Sequence, residues 1–150
     1  MTPNIRQALQ QGILAHNKGN LREAERLYRS VLKFYPKSPD ANHNLGLLAV
    51  AENKLELAIP LFKTALEANR NSEQLWLSYI DALIKEKKFE RVKKLMRQAH
   101  KQGINQNRFH ELYNRLGITL KAVGKLREAE SSLRKAISLS PNFHVPHINL

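Results

Sequence analysis

The sequence of 150 residues contains no cysteine, which excludes disulfides, thiolate metal sites and a cysteine nucleophile. It also lacks any apolar run near the roughly 18 residues that a membrane-spanning helix needs. Its first residues, MTPNIRQALQQ, do not show the basic and then apolar layout of a signal peptide. From these absences we expect a cytoplasmic protein.

Groups that could support catalysis are also scarce. The six glycines occur singly and form no phosphate-binding loop, and no serine lies in a nucleophile elbow. His144 and His147 have a spacing that can bind a metal, but no third or fourth ligand is evident and Pro146 intervenes. Carboxylate pairs such as Glu23 with Glu25 have arginines nearby. The sequence therefore predicts no enzyme, no metal and no cofactor.

Positive charge is abundant and unevenly distributed. Lys and Arg number 25 against 13 Asp and Glu, so the net charge is +12. Much of the excess lies in the segment 85–108. Such a segment is most often a solvated helix face, although it can also attract nucleic acid or an anionic surface. Interleaved aromatics that would stack on bases are missing, since Phe89 is expected in the core. The candidate basic patch consists of Lys85, Lys87, Lys88, Arg91, Lys93, Lys94, Arg97 and Lys101.

One phrase occurs twice in the chain. GNLREAERLYRSVLKFYP at 19–36 shares eight of eighteen positions with GKLREAESSLRKAISLSP at 124–141, and a looser copy begins 34 residues after Gly19, at Asn53. The sequence therefore indicates repeats of about 34 residues. We assign four repeats, and the start of a fifth, within one domain: 5–38, 39–72, 73–109, 110–143 and 144–150.

Each repeat predicts a pair of helices. Its first half carries apolar or small residues at repeat positions 4, 7, 8 and 11, and most second halves carry them at 20, 24, 27 and 28, which is helical spacing. Glycine at position 8 facing alanine at position 20 would let the two helix axes approach closely, with the large residue at position 24 beside them. The glycine and alanine pairs are Gly12 with Ala24, Gly46 with Ala58, and Gly117 with Ala129.

Helix boundaries are marked by local signals. Thr2 and Ser38 each precede a proline, which predicts an N-cap hydroxyl followed by proline at the first helical position. Gly19 and Gly124 fit the turn inside a pair, and Pro36 fits the end of a second helix.

This pattern resembles the tetratricopeptide repeat, a helix-turn-helix unit with small residues at positions 8 and 20, an aromatic at 24 and proline at 32. The resemblance implies an all-α fold, a right-handed superhelical solenoid of antiparallel helix pairs. The third repeat departs from the pattern with Ile80, Val92 and Ile104 and gains three residues, so we expect a local change in curvature there. Pro60 should kink its helix without abolishing it.

In the resembled family, positions 2, 5, 9, 12 and 13 of the first helices line a concave groove that binds a peptide or helix. A chaperone-tail clamp would need Lys and Asn where this chain has Leu9 and Ile13, so that partner is disfavoured. The alternative for these residues is packing between neighbouring repeats. The candidate groove residues are Leu9, Ile13, His43, Leu47, Val50, Leu77, Asp81, Ile84, Asn114, Ile118 and Lys121.

These observations predict a protein-interaction scaffold whose partner is another protein or a peptide. The alternatives are nucleic-acid or anionic-surface binding through the basic patch, and an interaction or oligomerisation module of a larger transferase. Because a fifth repeat begins at 144–150, Leu133, Ala136 and Ile137, with Val145, Ile148 and Leu150 beyond them, should be under-covered. We therefore expect self-association through this end.

Overall fold

The computed structural model describes residues 1–141 of the chain and shows helices without any strand in that range. The predicted all-α solenoid of helix pairs is confirmed. Among the described residues, no helix combines the length and apolarity that crossing a membrane requires. The helices are α1 (Pro3–Asn17), α2 (Leu21–Phe34), α3 (Pro39–Ala51), α4 (Leu55–Ala68), α5 (Glu73–Lys85), α6 (Phe89–Gln102), α7 (His110–Ala122) and α8 (Leu126–Leu139).

The chain forms two compact units, Met1–Ala82 and a C-terminal unit that begins at Leu83. In the N-terminal unit α1 packs on α2, α3 packs on α4, and α3 also contacts α2 and α1. In the C-terminal unit α7 packs on α8. Both arrangements bury the apolar face that the repeat positions predict.

The predicted N-caps are present at α1 and α3. Thr2 Oγ1 accepts a hydrogen bond from the Ile5 N–H at 3.4 Å, and Ser38 Oγ accepts one from the Ala41 N–H at 3.3 Å. A proline occupies the start of each helix, where its missing N–H costs nothing.

The turns inside the pairs use a left-handed residue, as predicted for the two glycines. Gly19 has φ of +80° and Gly124 has φ of +84°. At the equivalent places in the second and third repeats, Asn53 has φ of +59° and Lys87 has φ of +60°. The turn conformation is therefore conserved between repeats of this chain even where glycine is absent.

The glycines at position 8 make room for a large side chain. A Cβ built on Gly46 would lie 2.5 Å from Cε1 of Phe62, closer than real atoms approach. The side chain nearest to the glycine is thus the one at position 24, and at Gly117 the carbonyl oxygen of Ala129, at position 20, would also lie 3.2 Å from such a Cβ. The three pairs are Gly12 with Tyr28, Gly46 with Phe62, and Gly117 with Leu133.

Two second helices carry a local feature of their own, Pro60 inside α4 and a glycine cap at the end of α6. Helix α4 continues through Pro60, so the proline does not abolish it. Helix α6 ends at Gln102 and is capped by Gly103 in the left-handed region, with φ of +79°. The connection from α6 to α7, residues 103–109, is three residues longer than the connection 35–38 between α2 and α3.

The expectation of an under-covered face on α8 is wrong for two of its residues. Leu133 and Ala136 are both buried, and Leu133 lies directly over Gly117 of α7. Ile137 is half-buried. The partner residues named with them, Val145, Ile148 and Leu150, lie outside the described residues, as do His144 and His147.

Candidate binding surface of the first helices

The predicted groove residues of α1 and α3 follow a single face of each helix. Leu9 and Ile13 are four residues apart on α1, while His43, Leu47 and Val50 lie at spacings of four and three on α3. Since α1 contacts α3, these faces adjoin in the N-terminal unit. Leu77 and Asp81, both partly exposed, continue the pattern on α5.

Position 9 carries the most accessible apolar side chains of this set. Ile13 is 36% exposed and Ile118 is 43% exposed, and Leu47 at the same repeat position is partly exposed. Val50 is also partly exposed, and Lys121 is exposed. The first helices therefore present aliphatic groups to solvent at equivalent places in three repeats.

Other members of the set are buried. Leu9 belongs to the hydrophobic core of the N-terminal unit, and Ile84 has no exposed surface. Asn114 is buried on α7. These three side chains contribute packing and leave little surface for a partner.

His43 connects three helices of the N-terminal unit. Its Nε2 lies 2.7 Å from Ser78 Oγ on α5, and its ring packs against Phe62 of α4 with a centroid distance of 5.6 Å. Burial lowers the pKa of His43 below its ordinary value of 6.5, and the Asp40 carboxylate opposes this only in part. Burial thus favours the neutral imidazole in the folded protein.

Acid is expected to weaken the N-terminal unit through His43. Because folding lowers the pKa of His43, the unfolded chain takes up a proton at a higher pH than the folded protein does. The stability contributed by neutral His43 is therefore complete above pH 6.5 and is lost as the pH falls below that value. Urea unfolding measures the free energy of unfolding at about pH 8 and at about pH 5. Between these two pH values the His43→Gln variant should lose less of this free energy than the wild type does. An equal loss in both proteins would contradict the assignment.

The predicted basic patch lies along the end of α5, the turn to α6 and α6 itself. Val92, Met96 and Ala99 point into the core, so the basic side chains occupy the remaining faces of α6. Of the eight residues, Lys93 is half-buried and the others are exposed.

Lys93 joins α6 to α8. Its Nζ lies 2.9 Å from Glu128 Oε2 and 3.5 Å from Glu90 Oε1. The ion pair with Glu128 raises the pKa of Lys93, and the same pair lowers the pKa of the Glu128 carboxyl. Lys125 Nζ lies 5.4 Å from the ring centre of Phe89, a second contact between α6 and the start of α8.

Within residues 1–141, no three His, Asp or Glu side chains are grouped so that they could bind a metal ion. The carboxylates of the first copy of the repeated phrase, Glu23 and Glu25, instead contact arginines of their own helix. Glu23 pairs with Arg26 at 2.6 Å and Glu25 with Arg29 at 3.1 Å. These carboxylates are surface ion pairs, not a convergent acid and base.

Comparison with protein families identifies the repeat. A tetratricopeptide repeat model matches residues 9–91, more than half of the chain, and a second tetratricopeptide repeat model matches residues 110–143. The chain belongs to the tetratricopeptide repeat family. No curated protein matches it.

Solved structures share this tetratricopeptide repeat fold. YrrB, described as a TPR protein with an unusual peptide-binding site, is 20% identical with a TM-score of 0.78, over 91% of this chain and 69% of its own. MamA from Desulfovibrio magneticus RS-1 is 16% identical with a TM-score of 0.79, over 98% and 81%. The pilF structure of Pseudomonas aeruginosa is 21% identical with a TM-score of 0.72, over 97% and 65%.

Two contacts of this tetratricopeptide repeat chain were missed from the sequence. His43 and Ser78 are 35 residues apart, one repeat plus one position. This spacing was the one sequence feature that could have predicted their contact. Trp76 Nε1 donates a hydrogen bond to the Arg70 carbonyl at 2.8 Å, and the Arg70 guanidinium lies over the indole ring. Both contacts tie α5 to the preceding repeat.

Proposed function

We propose that this chain is a cytoplasmic, non-catalytic protein-interaction scaffold that binds a peptide or helix of another protein along the faces of its first helices. The binding residues are those of the predicted groove that retain accessible surface, with Ile13 and Leu47 as the apolar anchors in the N-terminal unit. His43 supports this surface from below, since its hydrogen bond to Ser78 fixes α3 against α5.

The observation that carries the proposal is the exposure of aliphatic side chains at one repeat position. Ile13, Leu47 and Ile118 are equivalent by repeat, and each keeps part of its side chain in solvent. A single exposed isoleucine needs no explanation, but recurrence at Ile13 and Leu47 in the N-terminal unit, and again at Ile118 in the C-terminal unit, indicates that each unit presents a helix face suited to an apolar partner.

The comparisons add support from the fold. Tetratricopeptide repeats are helix pairs whose stacking produces an extended surface for binding. The YrrB structure is described as containing a peptide-binding site, which shows that a protein with this fold can bind a peptide.

Removing the apolar anchors is expected to weaken peptide binding. Peptides are first selected from a displayed random library on the wild-type chain, and their affinities are then measured by calorimetry. We expect Ile13→Ser with Leu47→Ser to raise the Kd about tenfold or more, because buried apolar anchors dominate such interfaces. Binding should change little with salt, since it depends on apolar burial.

The matched control places the same substitutions away from this face. Leu14 on α1 is 57% exposed and Leu57 on α4 is 54% exposed, so Leu14→Ser with Leu57→Ser removes at least as much exposed apolar surface elsewhere. Thermal unfolding checks that both variants are folded. Equal loss of affinity in both double variants, or no loss in either, would refute the proposed surface.

A further inference from the structure

A deep groove of about 850 Å³ opens in the C-terminal unit between α6 and α8. Its floor is largely apolar and is formed by Met96, Tyr113, Leu116, Leu120 and Leu139. Its rim is mostly basic and carries Lys93, Arg97, His100, Lys101 and Lys135. We call this the α6–α8 groove.

The long connection of the third repeat borders this groove. Residues 103–109 connect α6 to α7 with a longer segment than the equivalent connections of the first and second repeats, and Gln106 of this segment lines the groove. At the other end, the Lys93–Glu128 pair joins α6 to α8. The groove is thus closed by an ion pair at one end and bordered by the long connection at the other.

An equivalent groove in the N-terminal unit provides an internal comparison. It lies against α2, α3 and α4, but its volume is only about 90 Å³. Its charged residues are balanced, since Glu25 pairs with Arg29 and Glu52 pairs with Lys54. Size and net positive charge therefore distinguish the α6–α8 groove from its counterpart in the same chain.

We infer that the α6–α8 groove is a second docking site, whose occupant is an acidic amphipathic segment of another protein. Charge complementarity carries this choice. Glu128 is the one carboxylate among the described residues that line the groove, and it is already paired with Lys93. Arg97, Lys101 and Lys135 are exposed and form no ion pair with any described residue, so three positive charges surround an apolar floor.

An acidic protein segment fits the groove better than nucleic acid does. Among the described lining residues, Tyr113 is the one Phe, Tyr or Trp side chain, and it is half-buried in the floor of the groove. Single-stranded nucleic acid needs exposed aromatic faces on which successive bases stack. An apolar floor below a charged rim instead matches a segment with apolar side chains on one face and carboxylates beside them.

This site is separate from the surface of the proposed function. The groove is lined by Tyr113, Leu116 and Leu120 of α7. The binding surface of the proposed function, called here the first-helix surface, instead includes Ile118 and Lys121 on another face of the same helix. Failure of one proposal therefore leaves the other intact.

Fluorescence anisotropy with defined probes tests the inference. The main probe is a labelled synthetic helical peptide that carries leucines on one face and glutamates beside them. Two further peptides of equal length replace every glutamate by lysine, or every leucine by serine, and a labelled oligo-dT strand serves as a non-peptide polyanion. The test variant is Arg97→Glu with Lys101→Glu, since both residues are exposed. The control is Arg29→Glu with Lys33→Glu, the same charge change at equivalent positions of α2.

We expect the acidic leucine peptide to bind the wild type and the control equally, and the test variant about tenfold or more weakly. The lysine and serine peptides should bind far more weakly than the main probe. Equal loss in both variants would show nonspecific electrostatics and overturn the inference. So would oligo-dT binding as tight as the peptide and lost in the same variant, or a concentration-dependent oligomer of the chain that disappears in the test variant.

Discussion

Replacing Phe62 by Ala is expected to destabilise the N-terminal unit by about 3–5 kcal/mol. Phe62 is only 1% exposed, and its ring lies over Gly46 of α3 while also contacting His43. Truncation would leave a cavity at the junction of α3 and α4, the helices of one repeat. Urea unfolding followed by circular dichroism measures the loss.

Leu57→Ala is the control for this prediction, because Leu57 lies on the same helix and is 54% exposed. It removes apolar atoms that already contact water, so we expect a small change in the free energy of unfolding. Similar destabilisation by both variants would mean that Phe62 does not occupy the core position assigned to it.

Adding a side chain to Gly46 is expected to have the second-largest effect. A Cβ there would lie 2.5 Å from Phe62 Cε1, so Gly46→Leu must displace the ring or separate α3 from α4. We expect a loss of about 1–3 kcal/mol, since overpacking outweighs the better helix propensity of leucine. Ala51→Leu, on the exposed end of the same helix, is the matched control.

The two substitutions should also interact. Phe62→Ala removes the ring that the new leucine would strike, so the double variant should lose less stability than the two single losses added together. Strict additivity would show that Gly46 and Phe62 do not oppose each other, and unchanged stability of Gly46→Leu would mean that the repeat register is wrong.

Local features of the fold were predictable because they depend on residues near in sequence. The caps at Thr2 and Ser38 and the left-handed turns at Gly19 and Gly124 each follow from a few neighbouring residues. The positions of the helix pairs were also predictable, because the same apolar spacing recurs every 34 residues in the sequence.

The α6–α8 groove could not be predicted in the same way. The sequence indicated both the basic residues of α6 and the three additional residues of the third repeat, but not that they border one cavity. That depends on how far α6 stands from α8, a distance set by packing rather than by periodicity. Likewise, resemblance to the family assigned Leu9 and Ile84 to the groove, whereas local packing buries both.

Packing also distinguishes two kinds of residue at the first-helix surface. Anchors would contact the partner, whereas supports hold the helices in place. His43 and Leu47 are neighbours on one helix face, yet His43 is held by Ser78 and Phe62. A substitution at His43 would therefore act on stability and its pH dependence, whereas one at Ile13 would act mainly on binding. Measuring both quantities for each variant distinguishes a support from an anchor.

Isoleucine methyl spectra recorded during titration with a library-selected peptide test the central claim most directly. Ile13 and Ile118 lie on the first helices and are exposed, whereas Ile59 and Ile137 lie on second helices and are half-buried. If a partner binds the first-helix faces, the methyl signals of Ile13 or Ile118 should shift saturably while those of Ile59 and Ile137 stay in place. Saturable shifts confined to Ile59 and Ile137 would contradict the account.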